Sequence, residues 1–185
     1  MSEPPLSDAD VAYVRENFVT LEELCETRGE SADELRKAIA RGEAPRPSYV
    51  LPDGTEMVPT TYVTPSREEF ERQYLGAGGE PAELEDDWAA HLDGVYGVCL
   101  LEPTPENIVR KGALVRRIEA LLAEPRPDDE EWRGALRRDV DALDALERPF
   151  SPDYDRVQFG RPPTRDTLIA APRREYADVF EPARA

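Results

Sequence analysis

Closely spaced prolines divide the second half of this 185-residue chain into helical segments. A residue before proline is pushed out of the helical region of backbone space, so Pro103 ends one segment, whereas Pro105 suits the first position of the next helix. Pro125 and Pro127 separate that helix from a third segment. Apolar residues recur at helical spacing in all three segments: Trp88, Leu92, Val95, Tyr96, Cys99 and Leu100; Ile108, Leu114, Val115, Ile118, Leu121 and Leu122; and Trp132, Leu136, Val140, Leu143 and Leu146. The pattern predicts a bundle of three antiparallel helices, with a short buried strand as the alternative for residues 95–100.

Two short capped helices and a hairpin are predicted near the N-terminal end. Thr20 and Glu23 have the spacing of a capping box, and so do Ser31 and Glu34. Two β-prone runs then flank Asp53-Gly54, and an Asp-Gly pair in that position indicates a hairpin. Helix, helix and hairpin is the order of elements in a winged helix-turn-helix domain.

The expected fold class is therefore mainly α, in three regions. Residues 1–62 form a small winged helix-turn-helix-like domain with a β-hairpin, and residues 63–79 form a connector that ends in a glycine-rich break. Residues 80–185 form the helical bundle. Prolines are frequent from residue 148 onward, but aromatic and aliphatic residues between them could anchor this segment, so we expect a proline-rich C-terminal wrap.

Charge and composition limit the classes of partner. The formal net charge of −17 opposes extended contact with a phosphate backbone, so nucleic acid is not the expected partner. No apolar run is long enough to span a bilayer, and the acidic N-terminus lacks the apolar stretch of a signal peptide. Cys25 and Cys99 are too few for a disulfide framework. We expect a cytoplasmic, reduced protein with no membrane contact.

The run from Val19 to Tyr62 resembles the small winged domains of excisionases and MerR-type regulators. The resemblance implies that the second helix enters the major groove of DNA. Here that helix begins with Asp33 and Glu34 where base-reading side chains usually lie, and residues 1–62 carry 13 acidic and 6 basic side chains, a net charge of −7. DNA binding and reuse of the domain for packing or protein contacts both remain open.

A second resemblance covers nearly the whole chain. Its motifs are Ser48-Tyr49-Val50-Leu51-Pro52-Asp53-Gly54-Thr55-Glu56, Gly94-x-Tyr96-Gly97-Val98-Cys99-Leu100, Pro105-Glu106-Asn107-Ile108-Val109-Arg110-Lys111, Asp155-Arg156, Phe159-Gly160 and Arg165-Asp166. Together they resemble a small family of actinobacterial proteins described as natural-product biosynthesis proteins. The resemblance implies a setting in secondary metabolism and provides no catalytic residues.

Cys99 has two interpretations. It could act as a nucleophile if a base and a positive charge lowered its pKa, or it could be a small buried hydrophobic residue. His91, the only histidine, lies two helical turns away and is too distant to pair with it within one helix. The chain has no zinc-binding spacing, phosphate loop or dinucleotide fingerprint, so neither a metal nor a cofactor is expected.

A polar cluster opens the second predicted bundle helix. Glu106 and Arg110 stand four residues apart, as do Asn107 and Lys111, so each pair shares one helix edge. The cluster predicts either a capped helix with a surface ion pair or an anion-binding helix start, where free backbone N–H groups and Lys111 meet a carboxylate.

The leading hypothesis is a natural-product biosynthesis protein that binds a small polar or anionic metabolite between the bundle and the C-terminal wrap. Glu106 or Asp155 could act as general base, and Cys99 could line the pocket. The candidate substrate-binding residues are Tyr96, Asn107, Arg110, Lys111, Arg156 and Arg165. The two arginines could instead pin the C-terminal segment to the acidic helices. Whether the metabolite is transformed is open. The alternative is a non-catalytic regulator, or an interaction module for a pathway enzyme, that uses the winged domain.

Overall fold

The structure is a computed structural model that describes residues 5–158 and 162–181. Phe159 and Gly160, which belong to the motifs above, lie outside the described residues. The helices in chain order are α1 (Asp8–Asn17), α2 (Leu21–Arg28), α3 (Ala32–Ala40), α4 (Arg67–Gly76), α5 (Leu84–Leu92), α6 (Val95–Cys99), α7 (Pro105–Ala123), α8 (Glu130–Leu146), α9 (Tyr154–Gln158), a π-helical segment (Arg165–Ala170), α10 (Ala171–Glu175) and α11 (Ala177–Phe180). Within the described ranges, no helix combines the length and the apolar character that crossing a membrane would require.

The architecture is mainly helical with a small antiparallel sheet, which confirms the mainly α prediction. The strands are β1 (Val19–Thr20), β2 (Tyr49–Val50) and β3 (Glu56–Val58), and their order in the sheet is β1-β3-β2. The predicted hairpin joins β2 to β3, with Gly54 in the left-handed conformation at φ +84°. Strand β1 was not predicted, because two residues are too few to show an alternating pattern.

The predicted caps begin the N-terminal helices. The hydroxyl of Thr20 accepts a hydrogen bond from the backbone N–H of Glu23 at 3.0 Å, and the Glu23 carboxylate accepts one from the backbone N–H of Thr20 at 2.9 Å. The hydroxyls of Ser31 and Ser66 make the first of these two contacts at the starts of α3 and α4, each accepting from the amide three residues on. These caps satisfy backbone donors that a helix start otherwise leaves unpaired.

Gly94 interrupts the first predicted bundle helix. Helix α5 ends at Leu92 and α6 begins at Val95, and between them Gly94 has a φ of +77°. A Cβ atom at Gly94 would lie 2.6 Å from the backbone carbonyl oxygen of Arg46, so no side chain fits there. The stripe is helical on both sides of the break. A glycine in the left-handed conformation is a common helix stop, and here it also lets the segment after α3 pass directly against the chain.

The main apolar core lies between α7 and α8 and is extended by α4, α6 and the π-helical segment. Ile118, Leu136 and Val140 are fully buried in it. Burying a side chain of this size contributes about 1.5–3 kcal/mol. The indole N–H of Trp132 donates to the carbonyl of Leu121 at 3.0 Å, so the core contains this large ring without an unpaired polar atom.

A second apolar cluster joins the N-terminal elements to the bundle. The rings of Phe18 and Tyr49 pack edge to face with centroids 5.0 Å apart. Val14, Met57 and Val98 are buried in the same cluster. Because Val98 belongs to α6, the sheet and α1 share a core with the helical part of the chain.

Two buried carboxylates hold the start of α9 against the N-terminal elements. Asp155 accepts hydrogen bonds from the Tyr49 hydroxyl at 2.8 Å and from the backbone N–H of Ser151 at 2.7 Å. Asp10 of α1 accepts from the backbone N–H groups of residues 153–154 at 3.0 and 3.2 Å. Hydrogen bonds to Asp10 and Tyr49, both far away in the sequence, therefore fix residues 153–155.

We expect Asp155→Ala to lower the free energy of unfolding by about 3 kcal/mol, because it leaves the buried Tyr49 hydroxyl and the Ser151 amide without their acceptor. Asp153→Ala removes a carboxylate from an exposed residue two positions away and should change stability by less than about 0.5 kcal/mol. Urea denaturation of the two variants checks this. If both variants lose the same amount of stability, the buried hydrogen bonds of Asp155 do not stabilise the fold more than an exposed carboxylate does.

His91 lies inside the core. It is 2% exposed, and its ring centroid lies 5.2 Å from that of Phe70 and 5.7 Å from that of Trp88. Its Nε2 has no hydrogen-bond partner among the residues described. Burial lowers the pKa of His91 to about 4, because the apolar site disfavours the charged imidazolium. The side chain is therefore neutral in the folded protein at neutral pH.

This burial makes stability depend on pH. The unfolded chain protonates His91 near its ordinary pKa of 6.5, whereas the folded chain resists protonation until about pH 4, so acidification between these values favours unfolding. Between pH 7 and pH 4.5, the titration of His91 lowers the free energy of unfolding by about 2.5 kcal/mol. His91→Phe keeps a ring at this position and removes the titration. In urea denaturation at both pH values, the variant should lose correspondingly less stability than the wild type; an identical loss would contradict the assignment.

Candidate functional site

A cavity of about 70 Å³ lies between α6, α7 and the segment that leads into the π-helical segment. Its polar lining consists of the Cys99 thiol, the Lys111 ammonium and the Thr164 hydroxyl. The rest of the lining is apolar and is formed by Val95, Phe150, Pro162 and Pro163. Two of the residues predicted for a binding site, Cys99 and Lys111, therefore meet in one cavity.

Glu147 supports the polar side of this cavity. Its side chain is fully buried, and its Oε1 lies 3.1 Å from Lys111 Nζ. The Thr164 hydroxyl donates a hydrogen bond to the same oxygen. Glu147 Oε2 is buried and has no hydrogen-bond partner among the described residues. The carboxylate thus joins α7, the end of α8 and the start of the π-helical segment, with one acceptor still available.

The apolar stripes of the two helices explain why these charges are buried. Lys111 stands three residues after Ile108 and four before Val115, on the core-facing side of α7. Glu147 stands four residues after Leu143, at the next position of the apolar stripe of α8. Sequence analysis missed Glu147, although its position on the continued stripe was the signal that could have found it.

The protonation states in this cluster favour binding over attack. Burial raises the pKa of the Cys99 thiol, and the nearby Lys111 ammonium only partly opposes that effect. Burial by itself would lower the pKa of Lys111, but Cys99 and Glu147 outweigh it and raise the pKa above the ordinary value. At neutral pH the cluster therefore holds a neutral thiol at Cys99 and an ammonium at Lys111, and Glu147 lies within ion-pair distance of that ammonium. A reactive cysteine needs a lowered pKa, and a lysine nucleophile needs a free amine.

Arg165 lies beside the cluster but is occupied by α8. Its guanidinium donates to the backbone carbonyl of Glu147 at 3.0 Å and to Asp144 at 2.6 Å. Arg173 donates to the other oxygen of Asp144 at 2.7 Å. These contacts attach the π-helical segment and α10 to the C-terminal end of α8, and they place Thr164 against Glu147.

The start of α7 separates the residues of the predicted polar cluster. Glu106 is exposed and lines a different groove of about 460 Å³, together with Arg28. The Asn107 side chain donates to the carbonyl of Glu102 at 3.0 Å. Arg110 is exposed, and no ion pair joins it to Glu106, so the predicted surface pair is not formed. Of this cluster, Lys111 alone lines the cavity.

The remaining candidates lie in other environments. The Tyr96 hydroxyl donates to Asp87 of α5. Asp155 is buried under Tyr49, as described above, and burial raises its pKa. Arg156 pairs with Asp166 at 3.1 Å on the protein surface. Within residues 5–158 and 162–181, no three histidine, cysteine or acidic side chains are grouped so that they could hold a metal ion.

Comparison with known proteins gives a family and no function. Neither the curated proteins nor the solved structures include a match to the chain. The family described as "Family of unknown function (DUF6058)" matches residues 66–177, a range that contains every described residue of the cavity together with Glu147. Since the match covers more than half of the sequence, this chain belongs to the DUF6058 family of unknown function.

Proposed function

We propose that this protein binds a small polar metabolite in the cavity formed by α6, α7, Phe150 and residues 162–164. The observation that supports the proposal is the buried Lys111–Glu147 pair at the cavity wall. Removing two charges from water costs several kcal/mol per ion, and well-packed apolar residues would often be as stable or more stable in their place. A buried ion pair beside a cavity is therefore better explained by a ligand than by stability.

The dimensions indicate how much of a ligand the cavity holds. A single buried water molecule needs a cavity of about 10–15 Å³. The 70 Å³ cavity therefore accommodates a few water molecules or the polar end of a metabolite. Lys111 can donate a hydrogen bond to such a group. Val95 and Phe150 offer apolar contact to the atoms next to it.

The balance of charge favours an uncharged or zwitterionic polar group. Lys111 and Glu147 neutralise each other, so a ligand with one full charge would enter a low-dielectric site with no counter-charge of its own. An amide, a hydroxyl or a zwitterion avoids this penalty. Sequence analysis predicted a polar or anionic metabolite, and the charge balance of the cavity favours a polar one without net charge.

The proposed role is binding without covalent catalysis. The raised pKa of the Cys99 thiol disfavours a nucleophilic role, and neither Glu106 nor Asp155 reaches this cavity. A setting in natural-product biosynthesis is part of the proposal and rests on the motif resemblance alone.

A second proposed role concerns the N-terminal winged helix-turn-helix-like region. The basic side chains on and after α3 that could touch DNA are each paired with an acid. Arg36 pairs with Glu56 at 2.7 Å, and Lys37 with Glu34 at 2.6 Å. Arg41 pairs in the same way with Glu43, two residues on. These pairs leave the helix no excess positive charge, which favours contact with a protein, such as a pathway enzyme, over contact with DNA.

The ligand hypothesis predicts that filling the cavity prevents binding. Polar metabolites of the neighbouring biosynthetic pathway should be screened by thermal shift, and a ligand present at 100 times its dissociation constant stabilises the fold by about 2.7 kcal/mol. Val95→Phe should remove the shift because the larger ring occupies the cavity. The matched control is Val157→Phe, at a valine that is 61% exposed and away from the cavity. A shift that persists in Val95→Phe would contradict the site.

The ion pair can be tested with the two lysines of the chain. Lys111→Met leaves the buried Glu147 carboxylate without its counter-charge and should cost about 3–5 kcal/mol of stability. Lys37→Met breaks an exposed ion pair and should cost less than about 1 kcal/mol. Adding Glu147→Gln to Lys111→Met should restore most of the loss. Urea denaturation measures all three, and a double variant as unstable as Lys111→Met would show that charge burial is not the cause.

A further inference from the structure

A second concave site lies at the other end of the α7–α8 pair. This α7–α8 groove has a volume of about 350 Å³, within the range of about 300–1,000 Å³ that is usual for small-molecule sites. Three arginines line it: Arg117 from α7, Arg138 from α8, and Arg126 from the connection between them. The groove is therefore locally cationic in a chain whose formal net charge is −17.

The floor of the groove is apolar. It is formed by Ala120 and Leu121 of α7 and by Trp132 and Ala135 of α8. Trp132 is 2% exposed and its indole N–H is bonded to the Leu121 carbonyl, so it closes the bottom of the groove and offers no free donor. A ligand with a flat apolar body could cover this floor.

A buried carboxylate holds Arg117 in place. Asp139 is 3% exposed, and it accepts from Arg117 Nε at 2.9 Å and from Arg117 Nη2 at 3.1 Å. Arg138 Nε lies 3.6 Å from the same carboxylate. The side chains of both arginines remain more than half exposed, and a guanidinium has five N–H donors, so donors remain for a ligand. Because Arg117 is held in place in advance, it loses less conformational entropy when an anion binds.

We propose that the α7–α8 groove binds a small organic carboxylate with a flat apolar body. Against the three arginines, Glu124 and Asp139 also line the groove, which leaves a net charge of +1. That charge complements a monoanion better than a dianion such as a phosphate monoester. Arginine can hold a carboxylate through two parallel hydrogen bonds, and the apolar floor accommodates the rest of the molecule. This site shares no lining residue with the cavity at Lys111 and does not depend on the function proposed for it.

Three matched probes test the class of ligand by isothermal titration calorimetry at low salt. We expect 1-naphthylacetate to bind, and to bind at least about threefold tighter than 1-naphthylacetamide, which has the same shape and no charge. It should also bind more tightly than 1-naphthyl phosphate, a dianion. The absence of saturable binding at millimolar 1-naphthylacetate would overturn the proposal, and so would equal or tighter binding of the amide or the phosphate.

Matched variants test the location. Arg138→Gln should weaken 1-naphthylacetate binding by about threefold, whereas Arg137→Gln makes the same charge change outside the groove lining and should not. Ala120→Leu should obstruct the apolar floor, with Ala145→Leu as the control at an exposed alanine of α8. Arg117 is left intact because its loss would leave Asp139 buried without its closest partner. If Arg137→Gln and Ala145→Leu weaken binding as much as Arg138→Gln and Ala120→Leu do, 1-naphthylacetate does not bind in the α7–α8 groove.

Discussion

The packing of α7 against α8 is the interaction on which the other parts of the structure depend. The two apolar stripes meet around Ile118, Leu136 and Leu143, and they fix how the ends of the helices face each other. At one end, the buried Glu147 supports Lys111 at a small cavity, where the two charges cancel. At the other end, Asp139 holds Arg117 beside an apolar floor that two further arginines border. One pair of helices therefore borders one cavity with balanced charges and one cationic groove.

Buried acids connect several distant segments of this very acidic protein. Glu147 and Asp139 connect α8 with α7, while Asp10 and Asp155 connect the start of α9 with the N-terminal elements. Such contacts add little net stability compared with apolar packing, but losing one partner is costly. We infer that they act mainly by excluding other arrangements of the segments, because any displacement would leave a carboxylate buried and unpaired.

Local patterns in the sequence predicted α2, α3, α7 and α8, the caps at Thr20 and Ser31 and the hairpin, because each depends on residues close together in the chain. They left the break at Gly94 unpredicted, where the missing side chain makes room for the backbone of Arg46. Lys111 stood out as one of two lysines, but Glu147 looked like another surface acid of α8 unless the apolar stripe was continued through it. These misses share a cause: each depends on a contact between segments far apart in the sequence.

The hydrogen bond between Asp155 and Tyr49 crosses the N-terminal boundary of the region that matches the family. The matched region begins at residue 66, yet Asp155 inside it is hydrogen-bonded to a tyrosine outside it, 106 positions earlier. Val98, also inside, is buried among Val14 and Met57. A fragment cut to the matched boundaries would expose this apolar surface and leave Asp155 without its phenol donor. The contacts that bury the matched stretch therefore extend beyond its boundaries, to α1 and the small sheet.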